Sequence, residues 1–226
     1  MRSALVTGGS SGIGLAIARM LRDEGYELTL VGRRPEKLGT AAREIGAEAV
    51  AANLTDDAEC ARAVAAHAER WGGMDVLVNS AGVGVGGSFA DQDTKRIDLQ
   101  LDVNLRATLL VTRDALPLLR ASRGSIVTLA SIAGTIPVPG LAVYGATKAA
   151  VVSFTSSLNR EEAENGVRAT AICPAFVATS MTDWTGLPPE EMIQPADVVE
   201  LVRAVLRLGP RARVPSIVVE RVGDIV

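Results

Sequence analysis

The sequence predicts a doubly wound α/β fold, with a parallel sheet of about seven strands and helices on both faces, in three layers. Three observations carry this expectation. Short apolar runs alternate with longer amphipathic stretches along all 226 residues, as strand–helix–strand units require. The short runs are apolar throughout instead of every second residue, which marks strands buried on both faces. The first run ends in a glycine-rich turn, Thr7-Gly8-Gly9-Ser10-Ser11-Gly12-Ile13-Gly14, that leads directly into a helical period.

Each element follows from its local pattern. Residues 4–7 form a strand, and 13–25 a helix whose Ile13, Ala16, Ile17, Met20 and Leu21 share one face. A strand at 27–31 stops at Gly32, a helix covers 35–44 behind Pro35, and 47–51 is a third strand. The alanine-rich stretch 56–71 is a helix, and 76–79 a fourth strand, left at Ala81-Gly82. One long helix is expected over about 97–119, a strand at 125–129, and a second long helix at 143–165, stopped by Asn165-Gly166. A strand at 167–172 runs to Pro174, and 176–195 has no period and several prolines, so it reads as a loop. The last helix is expected at 195–208 and the last strand at 214–219. No linker, repeat or charge block interrupts the series, so one domain spanning 1–226 is expected.

Composition excludes several classes. The chain is 48% hydrophobic and its net charge is -3, with mean hydropathy +0.25 and a pI near 5.3. Global disorder is excluded, and nucleic acid is not expected as a partner. No apolar run reaches the roughly 18 residues of a membrane span. The N-terminus lacks the apolar core and cleavage site of a signal peptide, so a cytoplasmic protein is expected. The two cysteines, Cys60 and Cys173, lie far apart, and His67 is the single histidine. Neither a disulfide framework nor a metal centre is expected. His67 reads as a surface residue, Cys173 as a buried structural thiol, and the charged run 161–164 as a solvated face.

Two patterns carry chemistry. Gly8, Ser10, Ser11, Gly12 and Ile13 occupy a strand-to-helix turn, where glycines let backbone approach a ligand and the helix N-terminus offers free N–H groups to phosphate. The bland alternative is a tight turn with no ligand. Further on, Tyr144 and Lys148 are four apart on one helix face. An ammonium beside a phenol favours the phenolate, and a phenol so tuned can exchange a proton with a carbonyl or alcohol oxygen. Taken alone, such a pair is most often a surface accident. It gains weight from Ser131, which ends a strand thirteen residues before Tyr144, and from Asn104 on the preceding long helix.

Taken in order, the glycine turn, Asn79-Ser80-Ala81-Gly82, Asn104, Ser131, Tyr144-x-x-x-Lys148 and Pro174-Ala175-Phe176-Val177-Ala178-Thr179 resemble the motifs of the short-chain dehydrogenase/reductase family, in its compact Rossmann-type branch. The resemblance implies that Tyr144 is the general acid/base, that Lys148 lowers its pKa and holds the nicotinamide ribose, that Ser131 orients the substrate carbonyl, and that Asn104 holds a water in a proton relay. It implies pyrophosphate contacts from Gly8, Ser10, Ser11, Gly12 and Ile13, and adenosine contacts from Asn53, Leu54, Asn79, Ala81 and Gly82. Pro174, Val177 and Thr179 would position the carboxamide. Asn53 stands where the family commonly has aspartate, and Ala175 where it has glycine. At the end of the second strand, Gly32-Arg33-Arg34 offers guanidinium groups and no carboxylate, which favours the 2′-phosphate of NADP(H) over NAD(H).

The resulting expectation is hydride transfer between NADP(H) and a carbonyl or secondary alcohol, with a 3-oxoacyl thioester, a 3-hydroxy acid or a small ketone as candidate substrates. The loop 176–195 would cover the substrate, with Phe176, Met181, Trp184 and Leu187 as a wall, and Ser88, Phe89, Val138 and Leu141 as further pocket residues. The resemblance also implies a homodimer or homotetramer through the two long helices. The rival from another class is a non-catalytic nucleotide-binding regulator on the same fold.

Overall fold

A computed structural model describes residues 1–223. Seven parallel strands form one sheet in the order β3-β2-β1-β4-β5-β6-β7, with β1 at Ser3–Thr7, β2 at Glu27–Gly32, β3 at Glu48–Ala51, β4 at Val76–Asn79, β5 at Ser125–Leu129, β6 at Arg168–Pro174 and β7 at Ser216–Val219. This is the expected Rossmann-like three-layer architecture. The chain winds outward from β1 to β3, then returns to pair β4 on the other side of β1, with Thr7 opposite Asn79 in register. That reversal opens a crevice beyond the carboxyl ends of β1 and β4.

Side-chain alternation along the strands divides the core in two. Ala4, Val6, Leu28, Leu30 and Val78 face α1 (Gly12–Asp23), α2 (Pro35–Ile45) and α7 (Pro195–Arg207). Leu5, Val31, Leu77 and Ile126 face α3 (Asp57–Trp71), α5 (Ala107–Ser122) and Leu158 of α6 (Ala142–Glu161). The apolar stripe of α7, Val198, Val199, Val202 and Val205, is buried, and each such side chain contributes about 1.5–3 kcal/mol of transfer free energy.

The structure corrects the expected pattern in several places. The helix expected at 97–119 is three segments: α4 at Thr94–Gln100, a π-helical stretch at Leu101–Arg106, and α5. A hydrophobic period read as one helix across 97–119 passes over the π stretch, where the one added residue shifts the phase by about 100°. The helix expected to run to residue 165 stops at Glu161, and Glu162 follows as its cap. The sixth strand starts one residue later and ends two residues later than expected, and the seventh is only four residues long and half-exposed. The expected strand at 214–219 sits in a C-terminal segment whose last residues, 224–226, lie outside the described residues. The loop 176–195 carries two short 3-10 turns, at Asp183–Thr185 and Pro189–Glu191. Its base is closed by a bridge between Val177 and Ile193.

Two polar residues expected at the surface are buried. His67 is fully buried, with Nδ1 2.9 Å from Thr29 Oγ1 and Nε2 3.0 Å from the Gly73 carbonyl. A carbonyl only accepts, so Nε2 carries the proton and Nδ1 accepts from the Thr29 hydroxyl. That hydroxyl in turn accepts from Trp71 Nε1 at 3.0 Å. Glu162 is 4% exposed and meets the Arg120 guanidinium with both oxygens, at 2.8 and 2.6 Å. This forked pair, with Asn165 Nδ2 at 2.8 Å, satisfies a carboxylate that would otherwise be costly to bury.

Candidate active site

A cleft of about 860 Å³ lies along the carboxyl ends of β1 to β6. Its floor at one end is the turn between β1 and α1. Gly8 has φ +65°, and a Cβ there would lie 2.8 Å from the Ala81 nitrogen and the Ser80 carbonyl. Only glycine lets the two chain segments pass this closely. Thr7 holds the same junction, since its hydroxyl oxygen accepts from the Ser80 and Ala81 N–H groups at 3.1 and 3.2 Å. The first turn of α1 opens from Ser11 with no side-chain cap, which leaves backbone N–H groups directed at the cleft.

Gly8, Ser10, Ser11, Gly12 and Ile13 all line this end, with Arg33, Arg34, Asn53, Leu54 and Ala81, while Gly82 lies farther along, where a Cβ would be 3.6 Å from Lys148 Nζ. Arg33 and Arg34 are exposed at the end of β2. No aspartate or glutamate is among the described lining residues. Asn79 is not part of the lining: it is buried, and its Nδ2 donates to Thr112 Oγ1 at 2.9 Å, on the α5 side of the sheet. The alternation of β4 turns the last residue of the strand away from the crevice.

Toward the other end the cleft gathers Ser131, Tyr144, Lys148, Pro174 and Val177, while Thr179 lies back against the glycine turn, 3.3 Å from where a Cβ on Gly12 would sit. Ser131 follows β5 and caps a 3-10 turn at Ile132–Gly134, its hydroxyl accepting from the Ala133 N–H at 3.2 Å. Tyr144 and Lys148 sit on the first turns of α6. The 3-10 turn and α6 are in intimate contact, because a Cβ on Gly134 would lie 2.6 Å from the Lys148 backbone. This packing fixes the serine hydroxyl relative to the tyrosine and lysine.

The electrostatics correct one expectation. The Tyr144 phenol lies above its ordinary value, chiefly through burial, with the Ser131 hydroxyl drawing it back part of the way. The expected depression by Lys148 is absent. The ammonium is 5.7 Å from the ring centroid and donates to the Leu129 carbonyl at 2.7 Å. Burial pushes Lys148 itself down to about 8. Cys173, fully buried nearby, is pushed up to about 11 by its burial, which makes it an inert thiol at neutral pH.

Asn104 lies in the π-helical stretch and does not line the cleft. Its Oδ1 accepts from the Val83 N–H at 2.8 Å, while Nδ2 donates to the Val83 carbonyl at 2.9 Å and to Thr147 Oγ1 at 3.1 Å. It therefore clamps the segment after β4 to α6 from behind Gly82. The preceding residue, Val103, does reach the cleft, as do Ile136 and the expected Val138, Leu141, Phe176, Met181 and Trp184. Ser88, Phe89 and Leu187 are not among the lining residues. Sequence reasoning missed Val103 and Ile136. Nothing in an apolar residue marks it as wall or core until the π stretch and the turn after β5 are known.

Among the described residues no cluster of three metal-ligating side chains occurs, and no helix is long and apolar enough to cross a membrane. Residues 2–187 match the profile of the short chain dehydrogenase family. The chain is 38% identical over 202 residues to an uncharacterized oxidoreductase of Staphylococcus epidermidis, covering 88% of each. Among solved structures it resembles an actinorhodin polyketide ketoreductase variant with NADPH, at TM-score 0.88 and 32% identity, over 97% of this chain and 95% of that one. It also resembles a 3-ketoacyl-(acyl-carrier-protein) reductase from Brucella melitensis complexed with NADH, at TM-score 0.89 and 28% identity, over 97% and 96%.

Proposed function

Since the chain belongs to the short-chain dehydrogenase family, we propose that it transfers a hydride between NADP(H) and a carbonyl or secondary alcohol, with Tyr144 as general acid/base. One observation carries this reading: a single cleft is lined by the glycine turn and by Ser131, Tyr144 and Lys148. The whole chain acts as one catalytic unit, with residues 176–195 over the substrate end.

The donor set suits a dinucleotide. The uncapped first turn of α1, flanked by Gly8, Ser10, Ser11, Gly12 and Ile13, supplies N–H groups suited to a pyrophosphate. Arg33 and Arg34 suit a 2′-phosphate, and among the described residues that line the cleft there is no carboxylate to hold the bare ribose diol of NAD(H). Asn53, Leu54 and Ala81 border the adenosine, Gly82 lies beside Lys148, and Pro174, Val177 and Thr179 border the carboxamide. When bound, the nicotinamide supplies or accepts the hydride.

The remaining chemistry belongs to the chain. Ser131 donates to the substrate carbonyl oxygen and holds it against the Tyr144 hydroxyl. A phenol raised above its ordinary value is fully protonated at neutral pH, so Tyr144 is ready to act as an acid. In the reductive direction Tyr144 would give its proton to the carbonyl oxygen as the carbon is reduced, which would leave the alcohol and a Tyr144 phenolate. Lys148, which does not depress the phenol in the ligand-free chain, binds the ribose. Asn104 is a positioning residue that holds Val83 and Thr147 in place.

Calorimetric titration with NADPH and NADH tests the cofactor, and NADPH-coupled ketone reduction by Tyr144→Phe tests the mechanism. NADPH is expected to bind more tightly, with the preference lost in Arg33→Ala/Arg34→Ala. Tyr144→Phe is expected to lose at least about 100-fold in turnover with NADPH affinity unchanged. A preference for NADH refutes the clamp, and an active Tyr144→Phe enzyme refutes the acid/base assignment. Binding of neither cofactor favours a non-catalytic role.

A further inference from the structure

We infer that the substrate is an uncharged, apolar carbonyl compound or its alcohol, and that carbonyls bearing a carboxylate or phosphate are rejected. This rests on the hydride-transfer reading above and narrows it.

Val103 and Gly223 reach the cleft singly, and three loop segments supply most of the described lining residues near the reacting groups: 83–92 after β4, 132–141 after β5, and 176–195 after β6. Together they contain no lysine, arginine or histidine. Their four charged residues, Asp91, Asp183, Glu190 and Glu191, are all acidic and all exposed. Among the described residues that line the cleft, the cations are Arg33 and Arg34, at the far end beyond the glycine turn, and Lys148. The Lys148 ammonium already donates to the Leu129 carbonyl beneath the tyrosine.

A carboxylate carried on the substrate would thus leave water beside Ser131 and Tyr144 without meeting a counter-ion. The desolvation of an unpaired charge is not recovered under those conditions. A phosphate on a longer arm would stay outside and face the acidic rim. A substrate ammonium is no better served, because none of the four rim acids lines the cleft.

What the wall does offer is apolar. Val103, Ile136, Val138, Leu141, Phe176 and Trp184 line the same cleft as the two hydroxyls. Trp184 is 66% exposed and touches Phe176 only by its edge, at 6.1 Å between ring centroids. A large apolar face left open at a cleft mouth gains about 25 cal/mol for each Å² that a bound apolar group covers. The polar side chains on this wall are uncharged, and the Thr182 hydroxyl is already engaged with the Val177 and Thr179 carbonyls.

The test compares four compounds with one 3-oxo group: ethyl 3-oxohexanoate, the free 3-oxohexanoate anion, its coenzyme A thioester, and its uncharged N-acetylcysteamine thioester. The ester and the uncharged thioester are expected to exceed the anion by about 100-fold or more in kcat/KM with NADPH. The coenzyme A thioester is expected to trail the uncharged thioester by a margin that shrinks as salt is added, because its charges face the rim and not the interior. The same order is expected in binding, read as quenching of tryptophan fluorescence, since Trp184 lines the cleft and Trp71 does not. Equal or better use of the anion or the coenzyme A thioester overturns the substrate class and leaves hydride transfer standing. Turnover of no carbonyl in the set, together with no reduction of NADP+ by the corresponding alcohols, overturns hydride transfer and the substrate class with it.

Discussion

Acid should destabilise this protein through one imidazole. His67 is fully buried between β1, β2 and α3, and burial pushes it down from 6.5 to about 4. Its neutral form is held by the Thr29 hydroxyl on Nδ1 and the Gly73 carbonyl on Nε2. Protonation places a second N–H on Nδ1, facing Thr29 Oγ1, and the threonine hydroxyl loses its acceptor. The folded-state value lies below the unfolded one, so between pH 6.5 and 4 the unfolded chain binds more protons. The stabilisation is complete above pH 6.5 and is lost as pH falls to about 4. At about 1.36 kcal/mol for each tenfold change in proton affinity, the window is worth about 3 kcal/mol, a large part of a total that is typically 5–15 kcal/mol. Urea unfolding of the wild type and His67→Gln at several pH values from 7 to 4 reads the difference directly. Paired carboxylates such as Glu162 also respond to acid, but they are common to both proteins and cancel. The variant should start less stable at pH 7 and lose about 3 kcal/mol less across the window. Parallel curves for the two proteins would refute the assignment of that loss to His67.

The other predictions concern the cleft. Because burial holds Lys148 near 8 in the ligand-free chain, an anionic dinucleotide bound beside it should raise that value and draw in a proton. Calorimetry at pH 8 in buffers of different ionisation enthalpy should show uptake of up to about half a proton per site, absent in Lys148→Met; no buffer dependence would contradict the depressed lysine. Gly134→Ala should push the 3-10 turn off α6, since the new methyl would lie 2.6 Å from the Lys148 backbone. A displacement of that order between the serine and the tyrosine should lower kcat by at least about 10-fold while cofactor affinity changes little, and unchanged kcat would show that the contact does not position the site.

Much of this arrangement was legible in the residues. Each strand announced itself as a short apolar run, and the motif spacing put Ser131, Tyr144 and Lys148 at the same end of the sheet. What remained hidden depends on three-dimensional context. His67 on an alanine-rich helix looks solvated until Thr29 and Gly73 are seen to satisfy both its nitrogens. Asn104 and Asn79 carry the right side chain at the right place in sequence, but one is consumed by Val83 and Thr147 and the other turns toward Thr112. The protonation of Tyr144 could not be read from a four-residue interval, because the interval gives proximity to an ammonium and says nothing of burial or of the Leu129 carbonyl that holds the ammonium instead.

The π-helical stretch at Leu101–Arg106 sets a rule for length. It holds one more residue than a regular helix needs between α4 and α5, and that surplus turns Val103 toward the cleft while Asn104 reaches Val83. Removing a single residue there would restore an ordinary helical ladder and rotate α5 by about 100° relative to α4. The buried stripe of Ala107, Val111, Ala115 and Leu119 would then leave the sheet. Substitution within the stretch is a local event, whereas a deletion of one residue is a global one. Sequences that keep this cleft are bound to keep the count between Gln100 and Ala107 even where they change every side chain in between.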